Sequence, residues 1–250
     1  MSKIVIGRQF CGPPNSGNGG YVCGVLAKGI EGPATAVLRA PIPLDLPLDL
    51  GPADGAVAIT GDDGQLIGKA EPSAGRELPA PPRPPSLEAA RAAGDRYIGL
   101  TQRVHPICFT CGPERADGDG LKVFTGQLDS ADRGVVAGVW TPHANFADAD
   151  GLVRSEVIWG ALDCPGFFAW VEKEGRHGAL LGTMTGEVRR RPRTGEDCIV
   201  LAWPLAREGR KETAGVALFS ANGELLARGH QVWIVMGPRP ALAAEAVASA

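Results

Sequence analysis

The stretch Ser155 to Trp170, SEVIWGALDCPGFFAW, constrains the fold more than any other. From Val157 onward it is apolar or small at almost every helical position, so it has no face suited to water. A helix apolar all round must be covered on every side by the rest of the chain. Asp163 breaks the pattern, with Val157, Ile158, Trp159, Ala161 and Leu162 before it and Phe167 and Phe168 after it. A buried carboxylate costs on the order of several kcal/mol unless it is paired or protonated. Two readings follow. The acid does chemistry, or it hydrogen-bonds backbone at the kink that Pro165 imposes.

At 250 residues the chain can bury a large core, as one big domain or two small ones. Its 25 basic and 28 acidic residues give a net charge of −3, which argues against a nucleic-acid or membrane surface as partner. No apolar run has bilayer length, and MSKIVIGRQF lacks the apolar segment of a leader. The expected location is therefore the cytoplasm. The six cysteines are thinly spread, and Cys23, Cys164 and Cys198 lie in apolar stretches. They read as reduced core residues, not a disulfide framework.

In order, the sequence predicts a strand at Lys3 to Ile6, a glycine-rich loop GPPNSGNGG, and a second buried helix over Tyr21 to Ala27. Thr35 to Leu50 reads as a long strand interrupted by Pro41, Pro43 and Pro47, hence an edge or a bulge. Ala56 to Thr60 and Gln65 to Ala70 flank GDDG, a hairpin signal. ELPAPPRPPS is a stiff connector, and SLEAARAAG a short helix capped by Ser86. Strands are expected at Leu121 to Thr125, Val135 to Trp140, Leu180 to Val188, Cys198 to Pro204, Gly215 to Phe219 and Leu225 to Val235. The Ala-rich tail after Gly237 reads as a loose helix. The implied units are residues 1–76, a connector with its helix at 77–100, residues 101–237, and a tail at 238–250.

The two larger units repeat each other. NGGYVCGVLA (Asn18 to Ala27) lies on RSEVIWGALD (Arg154 to Asp163), with Gly24 over Gly160. VLRAP (Val37 to Pro41) meets VRRRP (Val188 to Pro192), and the hairpin at Gly55 to Ala70 meets Gly215 to Gly229. Each half is a buried helix, a long strand and a hairpin, and such repetition decides the fold.

These segments resemble hotdog-fold proteins, and the duplication resembles the double hotdog of acyl-CoA thioesterases. The resemblance implies an α+β fold in which two central helices are wrapped by antiparallel strands. The single-hotdog helix begins His-Gly-Gly, with an acid seven residues after the last glycine. The first repeat keeps Gly19 and Gly20 but has Asn18 for the histidine and Ala27 for the acid. The second has the acid, Asp163, but Ser155 and Glu156 for the glycines. The split motif implies one site per chain, with Gly19 and Gly20 facing Asp163. By that resemblance Gly20 N–H, with Gly19 or Tyr21, donates to an oxyanion, and Asp163 is nucleophile or general base. Gln231 and Thr183, or Thr185 in its place, would help to hold the attacking water. Ala27 and Pro72 would leave the other half silent.

The implied substrate is an acyl-CoA or related carrier thioester, without cofactor or metal. A homo-oligomer is also implied, because exposed hotdog backs pack on one another. The alternative is a non-catalytic acyl-CoA-binding or sensor protein on the same scaffold. Arg191, within the cluster Arg189 to Arg193, could hold coenzyme A phosphates or lie on a solvated strand face. Trp159, Phe167, Phe168 and Trp170 could line an acyl tunnel or only the core.

Other chemistries lack their residues. There is no G-x-S-x-G, no phosphate-binding G-x-x-x-x-G-K and no H-E-x-x-H. Cys108-x-x-Cys111 invites a zinc or redox reading, but no second Cys or His pair follows at ligand spacing, so it reads as a turn. None of the four histidines falls on either buried helix, which argues against the dehydratases and hydratases of the hotdog group.

Overall fold

In the computed structural model, residues 2–73 and 78–242 are described. The N-terminal half contributes β1 (Ser2–Val5), α1 (Gly19–Ala27), β2 (Ala34–Leu38), β3 (Pro47–Ala53), β4 (Ala56–Thr60) and β5 (Leu66–Pro72). Next come α2 (Leu87–Gly94) and α3 (Gly99–Gln102). The second half contributes β6 (Gly126–Gln127), β7 (Val136–Trp140), α4 (Ser155–Ala161), α5 (Asp163–Glu174), β8 (Ala179–Val188), β9 (Cys198–Glu208), β10 (Lys211–Ser220) and β11 (Leu225–Val235). Among the described residues, eleven strands form one sheet in the order β1-β3-β4-β5-β2-β8-β11-β10-β9-β7-β6. The halves join where β2 pairs antiparallel with β8, Ala34 opposite Gly186 and Val37 opposite Thr183.

Both apolar helices lie under this sheet, and α1 packs directly on α4. Gly20 and Gly24, one turn apart, make that contact possible. A Cβ on Gly20 would lie 2.6 Å from the Asp163 Cβ, and one on Gly24 would lie 2.5 Å from the Glu156 Cα. The start of α1 thus meets the far end of α4, so the helices run antiparallel. The outer face of the second half is covered as well, because Ala90 and Ala93 of α2 sit on Ala137, Leu201, Trp203 and Phe219. No described helix is long and apolar enough to cross a membrane.

Some expected elements differ. Thr35 to Leu50 is two strands, with Pro41 and Pro43 in the segment between them. Leu121 to Thr125 forms no ladder: Lys122 has φ of +52°, and the amides of Leu121 and Val123 donate to Phe109 and Thr110. The predicted tail helix lies mostly outside the described residues.

Candidate active site

The helix under the second half breaks at Leu162 (φ −84°, ψ −6°). Pro165 has no N–H to offer the carbonyl four residues earlier, so a continuous helix is disfavoured there. Gln231 fastens the break from β11. Its Nε2 donates to the carbonyls of Leu162 at 2.7 Å and Asp163 at 3.0 Å, and its Oε1 accepts from Trp233 Nε1 at 2.9 Å. Asp163 is left on the first residue of α5, aimed at the start of α1.

That start is built by Asn18. Its Oδ1 accepts from the Tyr21 N–H at 2.9 Å, the ordinary N-cap bond. Its Nδ2 donates to Thr110 Oγ1 at 3.1 Å, and that hydroxyl donates to the Gly160 carbonyl at 2.6 Å. The fully buried Asn18 side chain therefore ties α1, the Cys108–Cys111 turn and α4 together. The loop before it is pinned as well, with Gly17 N–H on the Ile42 carbonyl and Ile42 N–H on Ser16 Oγ.

Asp163 is 4% exposed, and its Oδ1 is buried without a hydrogen-bond partner. Desolvation, with charge on Cys108 adding to it, pushes the carboxyl up to about 7, against the Gly20 N–H and the Asn18 side chain, which lower it. Burial thus wins over the donors, and those donors differ from the expected Gln231 and threonine. A cavity of about 530 Å³ opens beside the carboxyl. Asn18, Gly19 and Asp163 line its inner end, with Phe167, Trp233 and Leu181 among its apolar walls. The exposed Arg39 also lines it, which puts a cation at the mouth.

The expected site residues divide accordingly. Asn18, Gly19, Gly20 and Asp163 come together. Gln231 shares the helix-facing side of the sheet but spends its amide on backbone carbonyls and the Trp233 indole, so it positions Asp163 through the main chain. Thr183 does not join. Met184 is buried beside Gln231, and a Cβ on Gly186 would touch the Trp159 ring, so even-numbered β8 residues face the helices here. Thr183 and Thr185 face away, and Thr185 Oγ1 lies 3.0 Å from Thr35 Oγ1. Neither hydroxyl can hold a water on Asp163. Tyr21 N–H is committed to the cap and Gly20 N–H to Asp163, which leaves Gly19 as the first-turn amide on the cavity wall.

Trp159 and Arg191 line a different cavity, of about 220 Å³. Arg191 is held there by Asp148 Oδ2 at 2.7 Å and the carbonyls of Leu152 and Val153. Trp170 donates its Nε1 to the Thr213 carbonyl at 2.9 Å, and Phe168 packs edge-on against Tyr97. Of the four aromatics near Asp163, Phe167 alone lines the larger cavity. The sequence reading also missed His105 and Cys108 on that wall. Although no histidine lies on the helices, His105 enters from the segment before the cysteine turn, with burial lowering its pKa. Arg39 had a signal, since VLRAP lies on VRRRP in the repeat.

No family model matches the sequence, and no curated protein matches it. Similar solved structures do exist. One from Novosphingobium aromaticivorans, provisionally named a thioesterase, is 15% identical over 94% of this chain and 95% of its own, with a TM-score of 0.63. A Thermobifida fusca protein, provisionally a thioesterase II, is 15% identical over 94% and 91%, with a TM-score of 0.58. The tesB protein of Mycobacterium avium subsp. paratuberculosis is 14% identical over 89% and 88%, with a TM-score of 0.55. At these identities the likeness establishes the fold, an α+β double hotdog.

Proposed function

We propose that the chain hydrolyses an acyl-CoA or a related carrier thioester, with Asp163 as general base. The observation that carries this reading is the orphaned Oδ1 of Asp163, a buried acceptor on a residue that lines a largely apolar cavity. Buried polar atoms without partners are rare, and one beside a cavity is suited to a water or a substrate group. The acyl chain lies along Phe167, Trp233 and Leu181, and Arg39 meets the phosphates at the mouth. The thioester carbonyl points at Gly19 N–H, at the positive end of α1.

Water bound to Oδ1 gives a proton to Asp163 as its oxygen attacks the carbonyl carbon. The tetrahedral oxyanion rests on Gly19 N–H. The carbon–sulfur bond then breaks, and the proton on Asp163 passes to the leaving thiolate, so the products are an acid and a thiol. The similar structures named as thioesterases support this reading, as does the bare glycine start of α1 opposite the acid. The test is a screen of acyl-CoA chain lengths with thiol release as readout. Turnover with a preferred chain length is the expected result. Binding without thiol release would leave the non-catalytic alternative. Hydration of an enoyl-CoA without thiol release would replace hydrolase by hydratase and give His105 a role.

A further inference from the structure

We propose that Cys108, Cys111 and Cys164 form a three-thiolate binding site for a soft divalent metal ion, of which Zn²⁺ is the best fit. The three Sγ atoms are buried and lie within 4.8 Å of one another, with Cys108 and Cys164 at 3.5 Å. Thiolates about 2.3 Å from a tetrahedral zinc stand roughly 3.8 Å apart, so the trio needs adjustments of an ångström or less to close on an ion. A disulfide fits worse. The closest pair stands well beyond a sulfur–sulfur bond of about 2.05 Å, and any one bridge would strand the third thiol.

The cradle is already built. Cys108 and Cys111 sit in a turn closed by Gly112 N–H on the Cys108 carbonyl at 2.8 Å. A Cβ on Gly112 would lie 2.5 Å from that same carbonyl oxygen, so the tight return needs glycine. Phe109 N–H is held by the Cys11 carbonyl, and the Phe109 and Thr110 carbonyls accept from Leu121 and Val123. Tyr97 Oη donates to the Cys111 carbonyl at 3.2 Å. Cys164 arrives from the first turn of the twelve-residue α5. Hydrogen bonds of this kind, made by the backbone around the cysteines, orient metal ligands.

Among the described residues no fourth Cys, His, Asp or Glu belongs to the group. Cys108 and Cys164 line the Asp163 cavity, so the fourth coordination position faces the space in which water and substrate would meet. A zinc site with three protein ligands and an open position is the pattern of reactive sites, in contrast to closed structural ones.

The test is a titration of the reduced, metal-stripped protein with Co²⁺, followed by displacement with Zn²⁺, in the absence of substrate. One equivalent of cobalt should bind with an intense near-ultraviolet thiolate charge-transfer band, and zinc should abolish it. Cys108→Ser, Cys111→Ser and Cys164→Ser should each weaken binding at least tenfold. Cys198→Ser, buried in β9 outside the trio, should leave it unchanged. The absence of a thiolate band in the parent, or binding that survives all three substitutions, overturns the proposal. The parent titration needs no variant to fold. Because it contains no thioester, its failure is separate from a failure of hydrolysis.

Discussion

The fold offers the same setting twice and uses it differently. At the start of α1, Gly19 and Gly20 face a carboxyl on the opposing helix. At the start of α4, Ser155 and Glu156 face Ala27. The first setting opens on a cavity of about 530 Å³ and holds a buried oxygen without a partner. The second opens on about 220 Å³, and its charges are matched among themselves. There Glu156 meets Lys28 at 3.6 Å and Arg154 at 3.8 Å, and Arg191 is tied to Asp148. Arg39 and Arg190 repeat the contrast. Arg190 is gripped by Glu196 and Glu224, whereas Arg39 has no ion pair among the described residues. Asp163 in place of Ala27, and Ser155 and Glu156 in place of two glycines, separate a pocket with an unpartnered buried carboxyl oxygen from one whose charges are matched.

The contrast can be broken from either side. Gln231→Ala should have the largest effect on stability, about 3 kcal/mol by urea denaturation, because it strips donors from two buried carbonyls and leaves a hole. Thiol release should fall with it as Asp163 loses its aim. Gly20→Ala places a methyl against the Asp163 Cβ and the Trp159 carbonyl. We expect a loss of about 2 kcal/mol in the same assay, with hydrolysis lowered more than the unfolded fraction explains. Ala27→Asp recreates an acid in the second setting. It should cost about 1–2 kcal/mol, because the new charge sits at the end of α1 near Glu156. In an Asp163→Asn background it should restore no turnover.

The smallest effect concerns the ion pairs that neutralise the second half. The hydrogen bond from Arg190 holds the Glu196 carboxyl below its usual range. A depressed carboxyl stabilises the fold above its unfolded pKa, and that contribution is lost as pH falls through the lower folded value. Glu196→Gln should therefore cost no more than about 1 kcal/mol at neutral pH, given the pair's partial exposure. The difference from the parent should shrink below about pH 4.

Asp163 was legible because apolar neighbours on a helix leave no doubt about burial, and the repeat was legible because NGGYVCGVLA and RSEVIWGALD keep their spacing. Thr183 was misplaced for a physical reason. In LLGTMTGEV both sheet faces carry small or apolar residues, so the parity of β8 is set by its pairing with β11, which slips between Val232 and Trp233. Arg191 was named and Arg39 was not, because the repeat makes the two arginine runs equivalent and only the fold shows Arg191 tied to Asp148 and Arg39 on the wall of the larger cavity. The approach of Cys164 to Cys108 spans 56 residues and rests on how α5 meets the cysteine turn. No ligand spacing in the sequence carries that.

The central claim is that the buried, unpartnered Oδ1 of Asp163 does the chemistry. Asp163→Asn keeps the shape of the side chain but cannot take a proton from water. On the best acyl-CoA substrate, it should lower turnover by roughly two or more orders of magnitude with substrate binding nearly unchanged. A variant that releases thiol as fast as the parent would contradict the account and make Asp163 a structural residue.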